Sequence, residues 1–192
     1  MRTKTFIYGF LTSLLLLTLL VISGFFYLKK EREEMLIEEN AKEVSSLSYS
    51  LIQLKDDDLK NLNLIDNAKN PILFDNDRFI FMNFWATWCM PCVAEFPSIK
   101  KLKMQSESMD LPIRFVFVTD DVFEKVEKFE TKKGYGFDYA FYTKKNIPKT
   151  FVNDLIPSTY IIDKQNSLCY KITGAANYNS EVFRSFLKSV VR

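Results

Sequence analysis

The stretch from Phe79 to Pro97, FIFMNFWATWCMPCVAEFP, carries the features that decide the fold. It opens with an almost wholly apolar run, which is typical of a buried β-strand. Cys89 and Cys92 follow with Pro91 between them, and an amphipathic run begins there. The pattern predicts a strand, a turn and a helix, with Cys89 at the start of the helix.

The predicted position of the two cysteines favours disulfide chemistry. A helix N-terminus presents unpaired N–H groups and the positive end of the helix dipole, which favour a thiolate over a thiol. Pro91 suits the first helical turn, where its missing N–H costs nothing. Cys92 lies nearly one turn further along the same face, so the two sulfur atoms can meet. We predict a reversible disulfide with Cys89 as the exposed nucleophile and Cys92 as the resolving thiol. The alternatives are a static disulfide or two buried thiols.

The longer motif from Asn83 to Pro97, Asn-Phe-Trp-Ala-Thr-Trp-Cys-x-Pro-Cys-x-x-Glu-Phe-Pro, resembles a thioredoxin-superfamily active site. Within that superfamily it is similar to the membrane-associated TlpA/ResA-like thiol-disulfide oxidoreductases. The resemblance implies an enzyme that exchanges disulfides with a client protein and uses no cofactor. It also implies that Trp88 flanks the sulfur atoms, that Pro157 is a cis-proline facing the cysteine pair, and that the backbone of Ile156 pairs with the substrate chain.

The resolving thiol needs a group that accepts its proton, and the motif offers two positions to consider. Asn83 stands where thioredoxins proper carry a buried Asp that helps to deprotonate this thiol, so that base is missing. Glu95 follows Cys92 by three positions and therefore lies near it on the predicted helix. The resemblance makes Glu95 the proton acceptor, and the alternative is a solvated helix carboxylate.

Composition excludes several classes of function. The chain has 192 residues with 47% hydrophobic content, enough for one domain and a short extra segment. All 24 acidic residues lie after Leu28, as do all but two of the 26 Lys and Arg, so the soluble part is formally neutral and no nucleic-acid partner is expected. The absence of His excludes Cys-His catalysis and most catalytic zinc sites. We predict no metal site, and we interpret Cys169 as a small buried hydrophobe.

The N-terminal residues 1–28 are predicted to be a membrane anchor. Residues 6–28 carry no charge, and as a helix they would reach about 35 Å, enough to cross a hydrocarbon core of about 30 Å. The basic residues Arg2 and Lys4 predict a cytoplasmic N-terminus, which places the rest of the chain in the periplasm or outside the cell. The alternatives are a signal peptide cleaved after a poor site at Val21-Ile22-Ser23 and a buried structural helix.

The remaining residues divide into a charged stem, 29–48, and a thioredoxin-like domain, 49–192. Strands and helices alternate, and an antiparallel pair and a closing helix follow. This order predicts a three-layer α/β fold, with a central mixed sheet flanked by helices. Residues 121–124 resemble a capping box for the second helix. The resemblance implies a small N-terminal hairpin on the sheet and an extra element within residues 137–155.

These observations predict a single-pass membrane protein with an extracytoplasmic catalytic domain. The resemblance implies that this domain reduces disulfides of client proteins through Cys89 and Cys92 and draws electrons from a membrane-bound donor. Cytochrome c maturation is the best known task of similar proteins, but the sequence names no client. One alternative is a peroxiredoxin-type peroxidase, although neither Pro nor Thr or Ser occupies the required positions before Cys89. The other is a non-catalytic, redox-responsive binding module, which the sequence leaves open.

Overall fold

The computed structural model describes residues 17–18, 20–32, 49–55, 57–74, 77–143, 147–151, 155–163 and 168–191. The chain divides into two compact units, Met1–Val44 and Ser45–Arg192. In the first unit, residues 17–18 and 20–32 are helical. No helix in the described part of the chain combines the length and the apolar character needed to cross a membrane. Residues 1–16 and 19 of the predicted anchor and 33–48 of the predicted stem lie outside the described residues, so both remain predictions.

The second unit is built on a mixed sheet. Its strands are β1 (Tyr49–Gln53), β2 (Phe79–Phe84), β3 (Ile113–Thr119), β4 (Tyr139–Phe141), β5 (Ser158–Asp163) and β6 (Leu168–Thr173). Their spatial order is β1-β6-β5-β2-β3-β4. Strands β2, β3 and β4 are parallel, whereas β5 is antiparallel to β2, β6 to β5 and β1 to β6. The mixed sheet predicted from the sequence is confirmed.

The two faces of the sheet are covered differently. Side chains alternate along a strand, so Phe81 contributes to one core cluster whereas Ile80 and Met82 contribute to the other. In the described residues of this unit, the α-helices are α1 (Met90–Ser108), α2 (Phe123–Lys133) and α3 (Glu181–Val190). All three pack on the first face, through residues such as Phe96, Val126 and Phe183. The second face is covered by short 3-10 turns at Lys60–Leu62 and Lys149–Phe151 and by the segments around them.

Most predicted element boundaries agree with the structure, and two details differ. The sequence pattern predicts a first helix from about Met90 to Gln105, and the observed helix extends three residues further, to Ser108. The capping-box prediction is wrong, because α2 has Val122 at its N-cap and no side-chain hydrogen bond caps it. In place of the hairpin implied by the resemblance, the described residues before β2 supply the edge strand β1 and isolated bridges from Ile65 to Pro71 and to Phe141.

Candidate active site

The two cysteines lie at the N-terminus of α1, after the loop that follows β2. Cys89 is the N-cap residue, and Pro91 lies in the first turn. A disulfide joins Cys89 to Cys92, with 5.3 Å between their Cα atoms. The backbone N–H of Cys92 donates a hydrogen bond to the Cys89 sulfur at 3.2 Å. The helix therefore directs a backbone donor at the sulfur that is predicted to become the thiolate.

The disulfide is covered by its apolar neighbours. Cys89 is 4% exposed and Cys92 is fully buried. The predicted exposure of Cys89 is therefore wrong for the oxidised site, although Cys89 is the more accessible of the pair. The exposed surface belongs instead to Trp88 and Met90, at 67% and 77%.

The predicted cis-proline is present at the start of β5. The peptide bond between Ile156 and Pro157 is cis. Strand register pairs Ser158 with Phe84, the last residue of β2, so Pro157 lies at the edge of the sheet where the cysteine loop begins. Ile156 is half-buried and packs against the core cluster that contains both cysteines. Its pairing with a substrate chain stays a prediction.

Glu95 is a buried carboxyl group, only 3% exposed, one helical turn beyond Cys92. Its Oε1 atom accepts a hydrogen bond from Asn83 Nδ2 at 2.8 Å, and its Oε2 atom accepts one from the backbone N–H of Ala176 at 3.2 Å. Burial raises the pKa of Glu95 to about 7, against the effect of both hydrogen bonds, because desolvation disfavours the charged form. Glu95 is therefore no solvated surface carboxylate, and its proton affinity suits exchange near neutral pH.

A chain of polar side chains continues from Glu95 into the core. Asn83 Nδ2 also donates to Thr159 Oγ1 at 2.9 Å, and Thr159 Oγ1 accepts from the Tyr178 hydroxyl at 2.6 Å. All three of these residues are fully buried. The Asn83 Oδ1 atom has no hydrogen-bond partner among the described residues. Sequence reasoning singled out Asn83 by its departure from thioredoxins but missed Thr159 and Tyr178, because single hydroxyl groups leave no periodic signal.

Asp121 holds the loop that precedes the cysteines. Its Oδ2 atom accepts hydrogen bonds from both the backbone N–H and the hydroxyl of Thr87, at 2.7 and 2.8 Å. Thr87 stands two residues before Cys89, and Asp121 lies in the loop between β3 and α2. This carboxylate therefore joins two loops at the site, which explains why it does not cap α2 as predicted.

Cys169 lies apart from the cysteine pair. It is fully buried in β6 and belongs to the core cluster on the second face of the sheet, with Ile80 and Tyr160. Burial raises the pKa of the Cys169 thiol to about 12, against a small opposing effect of Lys171. Its interpretation as a small buried hydrophobe agrees with this position. Across the described residues, no cluster of three or more Cys, Asp or Glu could hold a metal ion.

The mixed sheet, the cysteine pair at a helix N-terminus and the cis-proline at the start of the neighbouring strand define a thioredoxin-like protein. A family model described as Redoxin matches residues 48–185, and the chain belongs to this family. Solved structures with the same fold include StoA from Bacillus subtilis, with a TM-score of 0.52 and 16% identity over 74% of this chain and 97% of StoA. A putative thiol:disulfide interchange protein DsbE from Chlorobium tepidum gives a TM-score of 0.53 and 20% identity over 61% of this chain and 82% of that protein.

Curated relatives confirm the TlpA/ResA-like character of the sequence. The thiol-disulfide oxidoreductase ResA of Geobacillus thermodenitrificans is 29% identical over 111 residues, which cover 58% of this chain and 62% of ResA. The thioredoxin-like protein YneN of Bacillus subtilis is 32% identical over 108 residues, which cover 55% of this chain and 62% of YneN. The alignments therefore span less than two thirds of the length of these relatives.

Proposed function

We propose that this chain is a thiol-disulfide oxidoreductase that reduces disulfide bonds in client proteins. The observation that carries the proposal is the Cys89–Cys92 disulfide at the N-terminus of α1, with the buried carboxyl group of Glu95 one turn beyond it. Relatives that are named thiol-disulfide oxidoreductases support the same activity.

The reaction starts from the reduced pair. The Cys89 thiolate attacks one sulfur of the client disulfide, a mixed disulfide forms, and the other client sulfur leaves as a thiolate. Cys92 then loses its proton to Glu95 and attacks the sulfur of Cys89. This step restores the Cys89–Cys92 disulfide and releases the second client thiolate, so two electrons pass to the client. Glu95 passes the proton on to a client thiolate or to solvent. A reductant of the dithiol class then has to return two electrons and one proton, which restore the Cys89 thiolate and the Cys92 thiol.

The surface around the disulfide supports a protein client with apolar character. Trp88 and Met90 on the cysteine loop and Leu155 before the cis-proline are all more than half exposed, at 67%, 77% and 67%. An extended client segment can contact these side chains while its backbone pairs with Ile156. This assignment of Trp88, Ile156 and Pro157 to client binding is part of the proposal.

The proposed location is the outer side of the cell membrane, with residues 6–28 as a single-pass anchor and a membrane-bound protein as electron donor. The uncharged run after Arg2 and Lys4 supports this location. Cell fractionation and external protease test it together. We expect membrane-bound protein that is degraded from outside the cell. Recovery of mostly soluble protein that begins near Gly24 would contradict the anchor, and a protease-protected domain would contradict the orientation.

Client trapping tests the chemistry. The detergent-solubilised full chain, reduced beforehand, should reduce insulin disulfides, and Cys92→Ser should accumulate mixed disulfides that non-reducing gels and mass spectrometry detect. Cys89→Ser should be inert, and Cys169→Ala serves as the matched control with wild-type rates. Equal trapping by both serine variants would contradict the roles of the two cysteines. A wild-type chain that reduces no disulfide would favour the non-catalytic binding module.

A further inference from the structure

The loop that follows β6 forms several hydrogen bonds with Glu95 and its neighbour Ser98. Ala176 donates its backbone N–H to Glu95 Oε2. Two residues on, the backbone N–H of Tyr178 donates to Ser98 Oγ at 3.1 Å, and Ser98 Oγ donates to the Glu95 carbonyl oxygen at 2.7 Å. The Tyr178 hydroxyl is also linked to the Glu95 carboxyl group by hydrogen bonds through Thr159 and Asn83.

We propose that Tyr178 is a positioning residue for Glu95, acting through the Thr159 hydroxyl and the Asn83 amide. The inference rests on the proton-acceptor role in the function proposed above.

The Tyr178 side chain is well placed to act as a fixed donor. Its ring makes edge contacts with Phe81 and Phe183, at centroid distances of 5.3 and 4.8 Å, and it is fully buried. Burial also raises the pKa of Tyr178 well above its ordinary value, so the hydroxyl keeps its proton. The hydroxyl therefore offers one hydrogen in one direction, toward Thr159 Oγ1.

The orientation of the Asn83 amide explains how this donor reaches Glu95. The Oδ1 atom of Asn83 has no partner among the described residues, so only the two bonds from Nδ2 fix the amide. While Tyr178 donates to Thr159, the Thr159 oxygen is held as an acceptor, and the NH₂ group faces Thr159 and Glu95. Without that donor, Thr159 can turn its own hydrogen toward a reversed amide. The amide oxygen would then face Glu95 and favour its protonated form.

The groups around Glu95 allow its titration to be measured without interference from that of Cys92. Strands β2 and β5 contribute the neutral Asn83 and Thr159, and the loop contributes Tyr178. On α1 itself, Cys92 lies one turn earlier and Lys101 lines the groove that Glu95 also lines. In the oxidised protein Cys92 does not titrate, so the titration of Glu95 can be followed without it.

The experiment is a carboxyl carbon NMR titration of the oxidised full chain in detergent, labelled with ¹³C at glutamate and assigned with Glu95→Gln. Tyr178→Phe keeps the ring and removes the hydroxyl. It should raise the Glu95 midpoint by ~0.5 pH unit or more, because the ionised form loses hydrogen-bond support. Thr159→Val should raise the midpoint too, whereas Thr159→Ser should keep the wild-type value. Tyr160→Phe is the matched control, since this buried hydroxyl lies on the second face of the sheet, and it should leave the midpoint unchanged.

An unchanged Glu95 midpoint in folded Tyr178→Phe would overturn the inference. If Tyr178→Phe does not fold, the comparison of Thr159→Val with Thr159→Ser decides, and equal midpoints in those two variants overturn it. The outcome is separable from that of the proposed function. A raised midpoint in a protein that reduces no client disulfide would leave Tyr178 as the positioning residue and remove the oxidoreductase. Normal client reduction with an unchanged Glu95 midpoint would support the oxidoreductase and overturn the positioning role of Tyr178.

Discussion

At the scale of single residues, the proposed reaction requires Cys92 to lose its proton at a position that is closed to solvent. A free Cys titrates near 8.5, and burial raises that value because desolvation disfavours the thiolate. Cys92 is fully buried, and the chain has no His to accept the proton. Asn83 is neutral, so the base that we propose is the buried carboxyl group of Glu95, which lies one helical turn from Cys92 and has a pKa raised to about 7.

Glu95→Gln keeps the shape of the side chain and removes the base. We expect it to slow client reduction by ~10-fold or more, within the usual range for the loss of a general base. In the wild type, the rate should rise as pH increases through about 7, where Glu95 becomes the carboxylate, and this step should be absent in the variant. Stopped-flow reduction of insulin across pH measures both effects.

Glu107→Gln is the matched control, because Glu107 lies near the exposed end of the same helix and pairs with Lys103. It should behave as the wild type. A Glu95→Gln variant with wild-type rates and an unchanged pH profile would leave proton removal to solvent.

At the scale of elements, the cysteine loop depends on a neighbour that is not adjacent to it in the chain. The loop between β2 and α1 carries Trp88 and Cys89, and the loop between β3 and α2 carries Asp121. Both donors of Thr87 converge on one oxygen of Asp121. Cys89 therefore stands between the N-terminus of α1 and Thr87, the loop residue that this carboxylate binds.

Asp121→Ala would leave the two donors of Thr87 without their acceptor. We expect the free energy of unfolding to fall by about 1–3 kcal/mol, the cost of unsatisfied partly buried groups. Amide hydrogen exchange at residues 86–88 should become faster, and Cys89 should react more slowly with client. Asp121→Asn is the matched variant, since it keeps an acceptor oxygen and should lose less on each measure. Equal stability and equal amide exchange in Asp121→Ala and the wild type would show that Asp121 does not hold the cysteine loop.

At the scale of the whole molecule, Glu95 links stability to pH. Its pKa is about 7 in the folded protein and 4.5 as an unperturbed group, so the folded state binds more protons between these values. The free energy of unfolding should therefore fall as pH rises from 4.5 to about 7, by up to about 3 kcal/mol. Above pH 7 Glu95 is ionised in both the folded and the unfolded state, so its effect on the free energy of unfolding no longer changes with pH.

Denaturant unfolding of the oxidised protein at several pH values measures this slope. Glu95→Gln is the reference, because it keeps the other carboxyl groups and removes only this one. The difference in unfolding free energy between the two proteins should change across that pH window and stay level above it. Parallel curves for the two proteins would mean that Glu95 does not keep a raised pKa in the folded state.

Local sequence was sufficient for the elements and for the pair of cysteines. The apolar run Phe79–Phe84 sets strand β2, and the Pro91 and Cys spacing sets the start of α1, because strand burial and helix initiation depend on near neighbours. The sequence likewise predicts two strands at Ser158–Asp163 and Leu168–Thr173, and these are the observed bounds of β5 and β6.

The surroundings of the site were decided only by the tertiary structure. The Asn83 amide forms hydrogen bonds with Glu95, 12 residues away in the sequence, and with Thr159, 76 residues away. Thr87 forms one with Asp121, 34 residues away. A sequence pattern describes the periodicity of one element, whereas these contacts need several elements to be packed together. The burial that raises the pKa of Glu95 has the same origin, because the loop after β6 and strand β2 both pack against the carboxyl group.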